Sequence, residues 1–332
     1  MRYIRQTIFD RIGDEGQKRL LSSSILIVGC GALGCMTSNL LTRAGIGKIT
    51  IVDRDFVELH NLQRQTLFSE KDVGKLKALA AQERLEEINP DIVIRGVCED
   101  MNPTTILPFL EGVTLVCDCT DNMQTRSLIN DACVKLGIPW IYAGAMASYG
   151  ATMNIIPGKT PCFQCLFPKP PDARLLPTCD TVGILNSIPT IISSIQATET
   201  LKILLGKEPR TSLLMYDVWD SDFNLIEVKR NEECPVCVGR KFLNLEAKNK
   251  ESIAVLCGRN AVQINPSVHR DIDFFELEKK LKKAGDVTLT PYLLTFSSEG
   301  YQIHLFKDGR CIIKGTDDEK TARSLYARFV GA

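Results

Sequence analysis

The 332-residue sequence predicts an α/β fold, a mostly parallel, doubly wound sheet followed by a small α+β unit. Three observations carry that expectation. Short apolar runs alternate with helical stretches, a glycine-rich turn joins the first run to the first long helix, and the alternation gives way to closely spaced strands in the last quarter.

Taken in order, residues 14–22 have amphipathic helical spacing, and Ile25, Leu26, Ile27 and Val28 form an apolar run that breaks at Gly29, as a buried strand does. Residues 32–44 fit a helix stopped by Gly45, and 48–52 a second strand ending at Asp53. Ser69 is placed to cap a helix that runs to about Ile88, where Asn89 and Pro90 stop it. Strands are expected at 92–97, 113–117 and 140–144, with helices near 103–110 and 124–136 between them. After a strand over 151–156, residues 157–182 are rich in Pro, Cys and Thr and read as a long loop. Pro189 suits the first turn of a helix reaching Leu205, and strands 212–219 and 223–229 make a hairpin around Asp220, Ser221 and Asp222. The charged stretch 240–251 reads as a linker, which divides the chain into domains 1–242 and 251–332. In the second, strand 253–264, helix 273–284, strands 287–296, 301–306 and 310–314, and helix 317–329 are expected, with a hairpin turn at Lys307–Arg310.

Composition removes several classes of function. Forty Lys and Arg balance forty Asp and Glu, so there is no basic excess to hold nucleic acid. No apolar run is long enough for a membrane span. The first residues lack the apolar core of a signal peptide, and thirteen cysteines then fit a reducing cytoplasm. With only His60, His269 and His304, histidine-based acid–base or triad chemistry has few candidates.

Gly29, Gly31 and Gly34 form G-x-G-x-x-G directly after a strand and at the start of a helix, the context in which this pattern reads as a nucleotide-phosphate turn of Rossmann-like type; a purely structural glycine turn is the plainer reading. Asp53 lies 19 residues beyond Gly34, where an acid that binds ribose belongs. Asp55, Asn61, Arg64 and Gln65 follow in a polar loop leaving the same strand, and Lys77 comes near the start of the next helix. Arg64 and Lys77 supply positive charge for a polyphosphate. Asp121 and Asn122 follow another strand end, and Asp121 there can hold magnesium; the plainer readings are a helix N-cap for Asp121 and solvated charge for Arg64 and Lys77.

Cys162 with Cys165, and Cys234 with Cys237, are two C-x-x-C pairs that suit a closed tetrahedral zinc site; a redox pair or unrelated thiols are the alternatives. Cys179, in the long loop, belongs to neither pair: exposed, it is a candidate nucleophile, and buried, a small hydrophobe.

From Arg2 to about Gly239 the chain resembles the ThiF/MoeB/HesA family, bacterial relatives of ubiquitin-activating enzymes, through RYIRQ, GCGALG, IVDRDFVELHNLQRQ, GKLK and DCTDN in that order. The resemblance implies ATP-dependent adenylation of the C-terminal glycine of a ubiquitin-like sulfur carrier ending in Gly-Gly, for thiamine or molybdopterin synthesis. It assigns Asp53 to the ribose of ATP, Arg64 and Lys77 to its phosphates, Asp121 to Mg2+, and the four paired cysteines to Zn2+. Arg5 is expected to reach the ATP of a partner subunit, which implies a homodimer, and Cys179 matches a loop cysteine that some members link covalently to the carrier. Adenylation accords with the shortage of histidine, because a carboxylate already ionised at neutral pH needs no general base. Two other classes remain open at this level: an NAD-dependent oxidoreductase on the same glycine turn, and a partner-binding scaffold without catalysis. The residues after about Glu251 carry no catalytic constellation of their own.

Overall fold

A computed structural model describes residues 2–169, 179–247, 252–256, 260–266 and 272–331. Two compact units divide the chain, the first formed by residues 1–171 and 182–247, the second by residues 172–181 and 248–332.

The first unit begins with two helices, α1 (Ile4–Thr7) and α2 (Gly13–Ser22). Strand β1 (Ser24–Val28), helix α3 (Ala32–Ala44) and strand β2 (Lys48–Val52) follow, and then α4 (Lys77–Ile88) leads to β3 (Val93–Val97). After α5 (Ile106–Phe109) come β4 (Leu115–Asp118), α6 (Met123–Leu136), β5 (Trp140–Met146) and β6 (Tyr149–Ile155). The unit is completed by the short helix α7 (Phe163–Leu166), the long helix α9 (Ser187–Leu204), the hairpin β7 (Leu213–Asp217) and β8 (Asp222–Ile226), and α10 (Leu243–Glu246), while the short helix α8 (Cys179–Val182) lies where the chain passes from residues of the second unit back to the first.

Its eight strands lie in the order β3-β2-β1-β4-β5-β6-β7-β8, the first five parallel and the last three antiparallel. Alternation along β1 explains why both faces need helices. Ile25 and Ile27 enter one core with residues of α2, α3, α4 and α9, while Leu26 and Val28 enter a second with residues of α5, α6 and α7. The chain order reverses between β1 and β4, so the crevice at their carboxyl ends is the ligand position of such a sheet.

Four expectations are corrected. Ser69 does not open the long helix: it caps a short 3-10 turn, Glu70–Asp72, and the helix starts only at Lys77. Gly74 at φ +86° turns the chain back so that Val57 N–H donates to Lys75 O and Gly74 N–H to Val57 O, which draws the intervening residues out of helical geometry. The helix expected over 103–110 shrinks to α5, because Asn102 Oδ1 accepts from the Thr104 and Thr105 N–H groups and holds them in a turn. The other two lie in the second unit.

There, β9 (Ser252–Leu256) and β10 (Ala261–Asn265) stand where one strand was expected, and β11 (Asp286–Leu289) and β12 (Leu293–Ser298) replace another. Asn260 at φ +43° breaks the first, and a Thr290–Pro291–Tyr292 turn closed by Thr290 Oγ1 breaks the second. With β13 (Tyr301–Phe306) and β14 (Cys311–Lys314) these strands form an antiparallel sheet in the order β11-β12-β13-β14-β10-β9. Helices α11 (Phe274–Leu281) and α12 (Glu319–Phe329) pack on one of its faces over Leu294, Phe296, Ile303 and Ile313. Among the described residues no helix is long and apolar enough to cross a membrane.

Candidate functional site

Each glycine of the turn after β1 has its own structural reason. Gly29 sits at φ +91°, and a Cβ there would meet Cys119 O at 2.7 Å; a Cβ on Gly34 would lie 2.0 Å from Gly29 O. Gly31 differs, since the nearest atom to its Cβ position is Gln65 Nε2 at 3.9 Å. Two glycines therefore close the turn against the fold, and the third leaves an open cradle at the N-terminus of α3.

Asp53, just past β2, ties that turn to its own loop: Oδ2 accepts from Cys30 N–H at 2.6 Å and Oδ1 from Asp55 N–H at 2.7 Å. Burial pushes the Asp53 carboxyl above the usual carboxylate range, and Lys77 pulls it back. Lys77, the first residue of α4, is 4% exposed; its Nζ lies 3.2 Å from Asp55 Oδ2 and its N–H donates to Asp55 O at 2.9 Å. The displaced start of α4 places this ammonium beside Asp55 and Asp53.

The loop between β2 and α4 is held by Asn61, which is buried and whose Oδ1 accepts from Glu58 N–H at 3.1 Å in a reciprocal cap. Asn61 thus shapes the loop from within. Arg64 projects from it, tethered only to His60 O at 3.2 Å among the described residues. Gln65 is buried beneath, and its Oε1 has no hydrogen-bond partner among the described residues.

Across the sheet, Asp121 is exposed in the turn after β4, within electrostatic range of both Arg54 and Arg126. The N-cap of α6 is Asn122, whose Oδ1 accepts from Thr125 N–H at 2.7 Å, so Asp121 is not spent on capping. Sequence reasoning missed the support under this turn. Fully buried Asp118 accepts from Thr120 and from Arg126 Nε at 3.2 Å, and Arg126 Nη2 donates to Thr120 O at 2.6 Å. A basic residue on the apolar stripe of α6, eight positions from an acid ending a strand, was the available signal.

Not every candidate joins this cluster. Arg5 lies exposed on α1, which is fixed by Gln6 Nε2 bonding to Gln17 Oε1 and Ala44 O and by Asn89 Nδ2 donating to Tyr3 Oη. Cys179 opens α8, and its side chain lies outside the described residues.

The four paired cysteines do converge, into a cluster that could hold a metal ion. Their sulfurs all lie within 4.8 Å of one another, with Cys162–Cys165 at 3.8 Å and Cys162–Cys234 and Cys165–Cys237 at 3.6 Å. A tetrahedron with metal–sulfur bonds of about 2.3 Å has edges of about 3.8 Å. Phe163, between the first two, packs on Trp140, Tyr142 and Phe167.

Residues 3–236 match the ThiF family. The chain belongs to the ThiF family. Among its relatives is the sulfur carrier protein ThiS adenylyltransferase of Bacillus subtilis (strain 168), 39% identical over 335 residues, which span 99% of each chain. The sulfur carrier protein adenylyltransferase of Thermus thermophilus is also 39% identical, but over 244 residues, 71% of this chain and 90% of that one. In structure, Escherichia coli MccB solved with ATP superposes at a TM-score of 0.63 and 25% identity, covering 71% of this chain and 74% of the other. The ThiF match therefore coincides with the eight-stranded unit, and the Bacillus relative extends the likeness through the second unit as well.

Proposed function

We propose that this ThiF-family chain is an adenylyltransferase that activates the C-terminal carboxylate of a ubiquitin-like sulfur carrier ending in Gly-Gly. The observation that supports the reading is the open Gly31 cradle, beside which Asp53 accepts from Cys30 N–H and Asp55 pairs with Lys77, at the carboxyl ends of β1 and β2. ATP is the co-substrate. Its phosphates suit the Gly31 cradle and the cations Lys77 and Arg64, and its ribose suits Asp53.

A carrier carboxylate oxygen attacks the α-phosphorus; the new O–P bond forms as the bond to the β-phosphate bridge breaks, and pyrophosphate leaves. No proton has to move, so the work of the chain is to orient the nucleotide and neutralise the leaving charge. Asp121, exposed in the turn after β4, would hold Mg2+, which supplies charge neutralisation on the departing phosphates. Gln65, with its buried carbonyl oxygen unpartnered among the described residues, would complete its hydrogen bonding on bound ligand or water. The four-cysteine cluster would hold Zn2+ in a closed structural role, as suits a cytoplasmic, reducing setting.

The full-length likeness to the Bacillus ThiS adenylyltransferase favours a carrier of the ThiS kind, and hence thiamine synthesis, over one for molybdopterin. A homodimer in which Arg5 reaches the partner's nucleotide completes the reading, together with Cys179 as the candidate for a covalent link to the carrier. Carrier-dependent exchange of labelled pyrophosphate into ATP tests the central claim: absence of exchange with every Gly-Gly-ended carrier sinks it. Asp121→Ala should abolish exchange while the melting temperature stays near wild type, since the side chain is exposed. An adduct to the carrier that disappears in Cys179→Ser would assign the loop thiol.

A further inference from the structure

Asp53 is followed by Arg54, a cation that the adenylation chemistry leaves without a task. Its Nη1 lies 2.7 Å from Asp100 Oδ1, and the two side chains are 27% and 17% exposed. Asp100 stands three residues past the end of β3, whereas Arg54 leaves the end of β2, so the pair bridges the carboxyl ends of adjacent strands. A second tie, from Cys98 Sγ to Arg54 O at 3.8 Å, joins the same two segments. The guanidinium Nε and Nη2 make no hydrogen bond among the described residues, so one edge of a fixed, partly accessible plane is held and the rest is available.

Strand order says what meets it. Phosphates on the glycine turn lie over β1 and a ribose on Asp53 lies beyond β2; with the order β3-β2-β1, the base of an extended nucleotide continues toward β3. The Arg54–Asp100 pair stands on that side. We infer that Arg54, oriented by Asp100, forms a wall of the purine pocket and binds the adenine ring through its planar guanidinium.

This rests on the reading of the crevice as an ATP site, and the test keeps the two apart. Calorimetric binding of MgATP and of magnesium tripolyphosphate, which has no base or sugar, is compared for the full chain and its Arg54→Ala and Arg54→Lys variants. Both substitutions should weaken MgATP about tenfold, because lysine keeps the charge but not the plane. Tripolyphosphate binding should remain at the wild-type value, which also shows that the variants are folded. Parallel loss of both ligands, unchanged MgATP binding, or full rescue by lysine would overturn the assignment. A wild-type chain that binds tripolyphosphate but gains nothing from the nucleoside would overturn it as well, and one that binds neither removes the ATP site itself.

Discussion

At the scale of single residues, the glycine turn separates two demands that one motif superimposes. A methyl group on Gly34 would lie 2.0 Å from Gly29 O, backbone against backbone, so Gly34→Ala should destabilise the chain by about 3 kcal/mol or more in urea unfolding. Gly31 has ordinary φ and no atom nearer than 3.9 Å to its Cβ position. Gly31→Ala should therefore leave the unfolding midpoint nearly unchanged while weakening MgATP binding, because the added methyl occupies the cradle. Equal destabilisation by the two substitutions would remove the distinction. The motif residues were legible because they stand close together in sequence and the chemistry of each is local. Arg54–Asp100 and Arg126–Asp118 were not legible as pairs: charged residues read as solvated surface until folding brings a counterion to them.

At the scale of elements, α9 is joined to the antiparallel half of the sheet through Glu199. Burial opposes ionisation of this carboxyl, but hydrogen bonds from Lys202, the Arg210 N–H and Asn154 outweigh it and hold the group below its ordinary value of 4.5. A carboxylate whose value is depressed on folding stabilises the fold above the unfolded value and loses that contribution as pH falls through the folded one. Glu199→Gln should thus cost about 1–2 kcal/mol at pH 7, and the gap from wild type should narrow below about pH 4.5 in melts across pH. A constant gap would show that shape, not charge, carries the tie. The cysteine cluster makes a comparable joint between α7 and the segment after β8. A chelator should remove the Zn2+ proposed for it, lower the melting temperature and expose four thiols to titration; Cys234→Ser should lower zinc content to a similar extent.

Elements differed in how readable they were, for a physical reason. Strands β1, β2 and β4 are buried on both faces and so read as apolar runs, and helices α3 and α6 end at Gly45 and Gly137 in left-handed geometry. The late start of α4 depends on backbone bonds between Val57 and the Gly74–Lys75 segment, a pairing across the loop that no local propensity reports.

At the scale of the whole molecule, two separate hydrophobic systems serve the two units: the paired cores around the eight-stranded sheet, and the cluster of Phe296, Ile303, Ile313 and Leu325 in the second unit. A chain ending at Ala247 should fold cooperatively and retain pyrophosphate exchange within a few-fold, as the reach of the Thermus relative also suggests. Loss of folding in that truncation would make the second unit part of the adenylation fold.

Strand β8 closes the large sheet with all five of its residues exposed, Phe223 at 54% and Leu225 at 57% among them. Its outer row of N–H and C=O groups has no neighbouring strand among the described residues, and the sequence pI of 6.8 leaves little net charge near neutrality to keep copies apart. The colloidal behaviour of the protein should therefore be governed by this one margin. Self-association should peak near pH 7 and fall on either side of it, and a lysine at Leu225 should raise the concentration at which light scattering first detects aggregates.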